Sequence, residues 1–186
     1  LKPWLLNILA CPIDKHHPLE AYFYSWETPA DELAKINSDA GNPNAVFKKQ
    51  YGHLAKQIAD DTISLDALKE IRDQTDSMPT AELYIDVNKF IERLVLEDYK
   101  SEEKLLSRYP EGLDILYRYL NLVEVEEGLI RCPKCDRWYP IGSAVETIPE
   151  LMPDDLREEE RDMEFLKKWE SKLPDEVKTK GKPFSL

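Results

Sequence analysis

Cys132-Pro133-Lys134-Cys135 is a C-x-x-C turn, and the third cysteine, Cys11, stands far upstream in a similar stretch, Cys11-Pro12-Ile13-Asp14. Three is an awkward number for disulfides, because one thiol stays unpaired. A chain that folds the two turns together places three thiolates around one point, and zinc is the usual reason for doing so. That closure constrains the topology: the first residues must lie against those near 130, and everything between becomes an insert.

The apolar spacing agrees. Trp4, Leu5, Ile8 and Leu9 predict a short amphipathic helix within residues 1–10, stopped by Pro12. Residues 19–26 are aromatic and read as a strand, ended by Thr28-Pro29, and residues 38–44 read as a loop. Helices follow over residues 53–60 and after Ser64, the latter carrying Leu65, Leu68 and Ile71. A longer helix capped by Thr80 sets Leu83, Val87, Phe90, Ile91 and Leu94 on one face. Ser101-Glu102-Glu103 opens another, and Leu113, Leu116, Tyr117 and Leu120 continue the pattern.

From Asn121 the period becomes two. Residues 122–126 predict a strand and Glu127-Gly128 a turn, and strands lead into and out of the Cys132 knuckle. Gly142-Ser143 turns again before a strand over residues 145–148. Past Pro153, an acidic helix over residues 154–172 sets Leu156, Met163, Leu166, Trp169 and Leu173 near one face, and residues 178–186 read as a frayed tail. The expected fold class is α+β: a small zinc-ribbon-like antiparallel β lobe with an N-terminal helix, built from residues 1–27 and 121–153. An all-helical insert over residues 28–120 splits it, and an acidic C-terminal helix and tail, residues 154–186, follow.

Composition narrows the partners. With 37 acidic against 25 basic side chains, the net charge is −12, so phosphates meet a repulsive mean field and independent nucleic-acid binding is not expected. No apolar run reaches the roughly 18 residues of a membrane span, and no apolar signal segment opens the chain; the expected setting is cytoplasmic. The six glycines stand singly, with no phosphate or cofactor loop. Glu158-Glu159-Glu160 reads as a solvated helix face rather than acid–base machinery, and Tyr22-Phe23-Tyr24 as alternating burial rather than base stacking.

Two blocks resemble a known family. Leu5-Leu6-Asn7-Ile8-Leu9-Ala10-Cys11-Pro12 is similar to the opening of the multifunctional methyltransferase subunits, small activators of tRNA, rRNA and release-factor methyltransferases. Glu127-Gly128-Leu129-Ile130-Arg131-Cys132-Pro133-Lys134-Cys135, Trp138-Tyr139-Pro140-Ile141 and Ile148-Pro149-Glu150-Leu151-Met152-Pro153 resemble its closing block. The resemblance implies a non-catalytic partner of class I methyltransferases, a heterodimer subunit that masks an apolar surface and extends the partner's central sheet by a strand. S-adenosylmethionine and substrate would belong to that partner. Two departures stand out: Asp14 sits where the family often has Cys, and the acidic helix runs past the familiar ending.

A structural zinc site wants four ligands, and Cys11, Cys132 and Cys135 supply three. Asp14 holds the matching C-x-x-D position, with His16 or His17 as alternatives. Lys15, Arg131, Lys134 and Arg137 flank the turns and would offset the excess negative charge of such a centre. The competing reading is a lobe that has lost a ligand and holds by packing. A redox C-P-x-C is a third, although that motif normally opens a helix and here strands flank it. For partner binding the candidates are Trp4, Leu5, Ile148, Leu151 and Met152, with Pro149 closing a last strand whose free edge would accept a methyltransferase strand. Leu5 and Ile148 would serve equally as the lobe's own core, whereas Trp4 and Met152, near the ends of their elements, are expected at the surface. A zinc-ribbon accessory protein of transcription or RNA metabolism is the alternative function.

Overall fold

The computed structural model describes residues 1–97 and 100–186. Its pivot is β1 (Glu20–Trp26), where alternation sends Ala21 and Phe23 into one buried cluster and Tyr22 and Tyr24 into another. β2 (Ile71–Asp73) runs parallel to β1, while β3 (Val125–Arg131) pairs with it antiparallel and β4 (Trp138–Ile141) completes the order β2-β1-β3-β4. Strands far apart in sequence thus sit side by side, with Ala21 opposite Ile130 and Ile130 opposite Tyr139.

The sheet is covered on both faces. The larger cluster joins Phe23, Ile130 and Tyr139 to buried residues of α1 (Ala30–Asp39), α2 (Lys48–Ala59), α3 (Leu65–Lys69), α4 (Met78–Leu96), α5 (Glu102–Arg108) and α6 (Pro110–Asn121). Each fully buried Leu, Ile or Phe there contributes about 1.5–3 kcal/mol by leaving water. Asp114 of α6, fully buried, ties α2 and the turn after α1 to its own helix: it accepts from Gly41 N–H, from the Tyr51 hydroxyl and from Arg118. On the opposite face Tyr24, Leu129 and Trp138 meet Phe165 and Leu166 of α7 (Glu159–Lys168), Leu173, and Val177 of α8 (Asp175–Lys180).

Several elements differ from the sequence expectation, each for a physical reason. The N-terminal helix is a five-residue 3-10 turn, Pro3–Asn7. At three residues per turn it buries Pro3 and Leu6, so Trp4 faces outward, as does Ile8 just after it at 63% exposure. α1, read only in part as loop, forms behind Pro29 with Asp31 and Glu32 in its first turn. α2 begins five residues before His53. Ser64 caps α3 as expected, but Ile71 leaves the helix to open β2, so the insert adds one parallel strand to the sheet. Ser77, not Thr80, caps α4; the Thr80 hydroxyl is taken by Asp73 instead. Ser101 caps α5 as expected.

The β segments shift too. β3 starts at Val125 and runs straight through Glu127-Gly128, with an irregular register against Ser25 and Trp26 in place of a turn. Gly128 is there for closeness: a Cβ would stand 2.5 Å from the Tyr22 carbonyl oxygen. Residues 145–148 form no strand, because Gly142 and Thr147 both take left-handed φ and fold the chain back. The single acidic helix is broken: a 3-10 turn at Asp154–Leu156, extended Arg157 and Glu158, then α7, a second 3-10 turn and α8. The tail is pinned rather than frayed, since Lys182 pairs with the strand edge at Arg137 and Trp138 Nε1–H donates to the Phe184 carbonyl at 2.9 Å.

Candidate metal centre and sheet edge

Two turns of one design build the metal candidate. In the first, Lys15 N–H donates to the Cys11 carbonyl and Cys11 N–H to the His16 carbonyl, with Lys15 at φ 61°. In the second, Asp136 N–H donates to the Cys132 carbonyl and Cys132 N–H to the Arg137 carbonyl, with Asp136 at φ 59°. Residue for residue, Asp14 is therefore the counterpart of Cys135. The turns meet because the first leads toward β1 and the second joins β3 to β4, strands of one sheet.

One ligand atom each from Cys11, Asp14, Cys132 and Cys135 lies within 4.8 Å of the others. Cys11 and Cys135 Sγ stand 3.7 Å apart, too far for a disulfide, and Cys132 Sγ is 3.6 Å from both Asp14 carboxylate oxygens. A tetrahedral zinc with bonds of about 2.3 Å to sulfur sets sulfurs about 3.8 Å apart, so the donor set fits the ion. Neither histidine is in this group among the described residues; His17 Nδ1 is 2.9 Å from the Leu9 carbonyl oxygen.

Electrostatics in the cluster pull in two directions. Burial pushes the Cys132 thiol up to about 12. Burial raises Cys11 as well, but the N–H groups of Asp14 and Ile13 and the Tyr139 hydroxyl, 3.3 Å from Sγ, outweigh it and leave that thiol lowered. The His16 N–H, against a smaller burial effect, holds the Asp14 carboxyl below its ordinary value. The sequence offered the four candidate ligands and the flanking cations but gave no sign of Tyr139, which β4 sets opposite Ile130 and which meets Cys11 only in the folded chain. Of the cations, Arg131 bridges Glu20 and Asp136, each at 2.7 Å, and Arg137 forks onto Asp154 at 2.8 Å. Strands flank the C-x-x-C turn on both sides, as in the metal reading rather than the redox one.

The partner candidates divide. Trp4 is 39% exposed and borders a cleft of about 560 Å³ with Asn7, His53, Leu54 and Tyr117. Leu5 and Leu151 are half-buried against the main core, and Pro149 and Met152 are half-buried. Ile148 is 51% exposed. The expected free edge of a strand at 145–148 does not exist. Instead residues 148–150 lie along β4, where Gly142 N–H donates to Ile148 O and Glu150 N–H to Pro140 O. That geometry turns the Pro149 carbonyl and Leu151 N–H outward, and neither has a hydrogen bond among the described residues.

A family model, that of the Trm112p-like proteins, matches residues 2–142. A comparison with curated proteins finds no match.

Proposed function

The chain belongs to the Trm112p-like family, whose members are methyltransferase activator subunits rather than catalysts, and from that premise we propose that it stabilises S-adenosylmethionine-dependent class I methyltransferases acting on tRNA, rRNA or a release factor. In this reading it masks an apolar surface of the catalytic subunit and lengthens that subunit's sheet. The observation that carries it is the outward-turned backbone of Pro149 and Leu151 beside exposed Ile148, at the rim of a sheet otherwise covered on both faces. Such a rim offers main-chain pairing for affinity and an apolar side chain for fit. Trp4 adds a large, exposed amphipathic anchor of the kind that dominates interfaces. Zinc, held by Cys11, Asp14, Cys132 and Cys135, would supply a structural cross-link between the two turns.

Co-expression with each class I methyltransferase of the same cell tests this. A true partner becomes soluble, co-purifies and transfers methyl groups only when both chains are present. Trp4→Asp and Ile148→Asp each lose co-purification while the isolated subunit keeps its circular dichroism and melting temperature. Unchanged co-purification in both variants, or turnover by this chain alone, would overturn the reading.

A further inference from the structure

Every residue from 136 to 138, immediately after the Cys135 ligand, holds the C-terminal segment. The Asp136 carbonyl accepts Lys182 N–H at 3.0 Å, and the Asp136 carboxylate pairs with Lys180 at 3.3 Å. Arg137, two residues from Cys135, forks onto Asp154 with contacts of 2.8 to 3.2 Å. Trp138 N–H donates to the Lys182 carbonyl at 3.1 Å, its carbonyl accepts from Arg157 at 2.7 Å, and its ring lies against Phe165. All of these contacts from the C-terminal side come from residues beyond the stretch that the family model matches.

The covering segment is also an imperfect fit. Asp162 Oδ1, Trp169 Nε1 and Tyr24 OH are buried between it and the sheet with no hydrogen-bond partner among the described residues. Orphaned polar atoms weaken an interface locally, and segments of low local stability open without global unfolding. A metal ion that ties the Cys132–Cys135 turn to the Cys11 turn restrains the very residues on which this segment is seated. Groups around ligands orient them and tune affinity.

We propose that residues 154–184 form a latch whose closure is linked to the metal centre through Asp136, Arg137 and Trp138. Metal binding closes the latch; metal loss loosens the turn and frees it from β4. Linkage makes the effect reciprocal, so the closed latch tightens metal binding by the same factor. The inference rests on the metal reading of the cysteine cluster.

The test uses the full chain loaded with Zn²⁺ and again after stripping by a chelator, with metal content measured in each. Hydrogen exchange of residues 175–184 should quicken about tenfold on stripping while that of α4 changes less than about twofold. Two variants probe the reverse direction by competition with a chromophoric chelator. Asp154→Asn unpairs Arg137, and Gly181→Val drives a side chain into the Val177 carbonyl and the Trp138 ring. Both should weaken zinc affinity about fivefold or more. Zinc bound with latch exchange unchanged, exchange rising equally in α4, or wild-type zinc affinity in both variants would overturn the latch alone. A chain that takes up no zinc would overturn the metal reading with it.

Discussion

Asp14 shows how much one residue can be inferred from its spacing. C-x-x-D beside C-x-x-C makes it a candidate fourth ligand ahead of His16 or His17, and the matching turns, left-handed residue for left-handed residue, bring its carboxylate within 4.8 Å of the three thiols. What spacing could not convey is the proton balance. Burial pushes the Cys132 thiol up, and zinc binds the thiolate, so zinc uptake at this site is expected to release a proton. Zinc affinity is therefore expected to fall steadily on acidification, and titration calorimetry in buffers of different ionisation enthalpy should register proton release. Cys132→Ser is expected to lose zinc and, with it, stability on the order of several kcal/mol, read together by metal analysis and thermal melting. The Ser64 and Ser101 caps were legible for a local reason, since a hydroxyl three residues before a free N–H needs nothing remote. At Ser77 and Thr80 two hydroxyls competed, and the choice fell to Asp73, a partner in β2 that local sequence does not announce.

Among elements, helices with long apolar stripes were readable and short strands were not. β2 is three residues long, and its helix-like approach through Leu65 and Leu68 carries no strand signal; it forms because β1 offers a parallel edge. α7 is cut from its expected start by Arg157, which leaves the helix to reach the Trp138 carbonyl and Asp162. Both side chains of that ion pair are fully buried, and burial works against each charge, lowering Arg157 and raising Asp162. Asp162→Ala should cost about 3–5 kcal/mol in urea denaturation by stranding a buried cation, and Arg157→Met with Asp162→Leu together should regain much of it. Asp154 has the opposite sign. Its bond to Arg137 holds its carboxyl below the ordinary value, so its stabilising contribution is complete above about pH 4 and is lost as pH falls through the lowered value. Hydrogen exchange over α8 should accordingly rise below about pH 4 before exchange in α4 does.

Across the whole molecule, the sheet gathers strands from both ends of the family region and one from the insert, and the C-terminal segment closes its second face. Residues 148–150 run beside the edge strand β4, and the Pro149 carbonyl and Leu151 N–H have no hydrogen bond among the described residues. With a net charge of −12 this chain alone should not retard tRNA in a gel at physiological salt, whereas, on the proposed function, its complex with a tRNA methyltransferase should.

The chain's spelling was enough to bring Cys11 to the Cys132 knuckle, to name Asp14 among the candidates for a fourth ligand, and to place amphipathic helices between the two turns, because ligand spacing and apolar period are local quantities. Which face the first turn presents, where Ile71 goes, whether residues 145–148 pair, and what covers Tyr24 and Trp138 came only with the folded chain. Those outcomes depend on which distant backbone and side-chain groups compete to fill a hydrogen bond or exclude water, and no window of neighbouring residues carries that information.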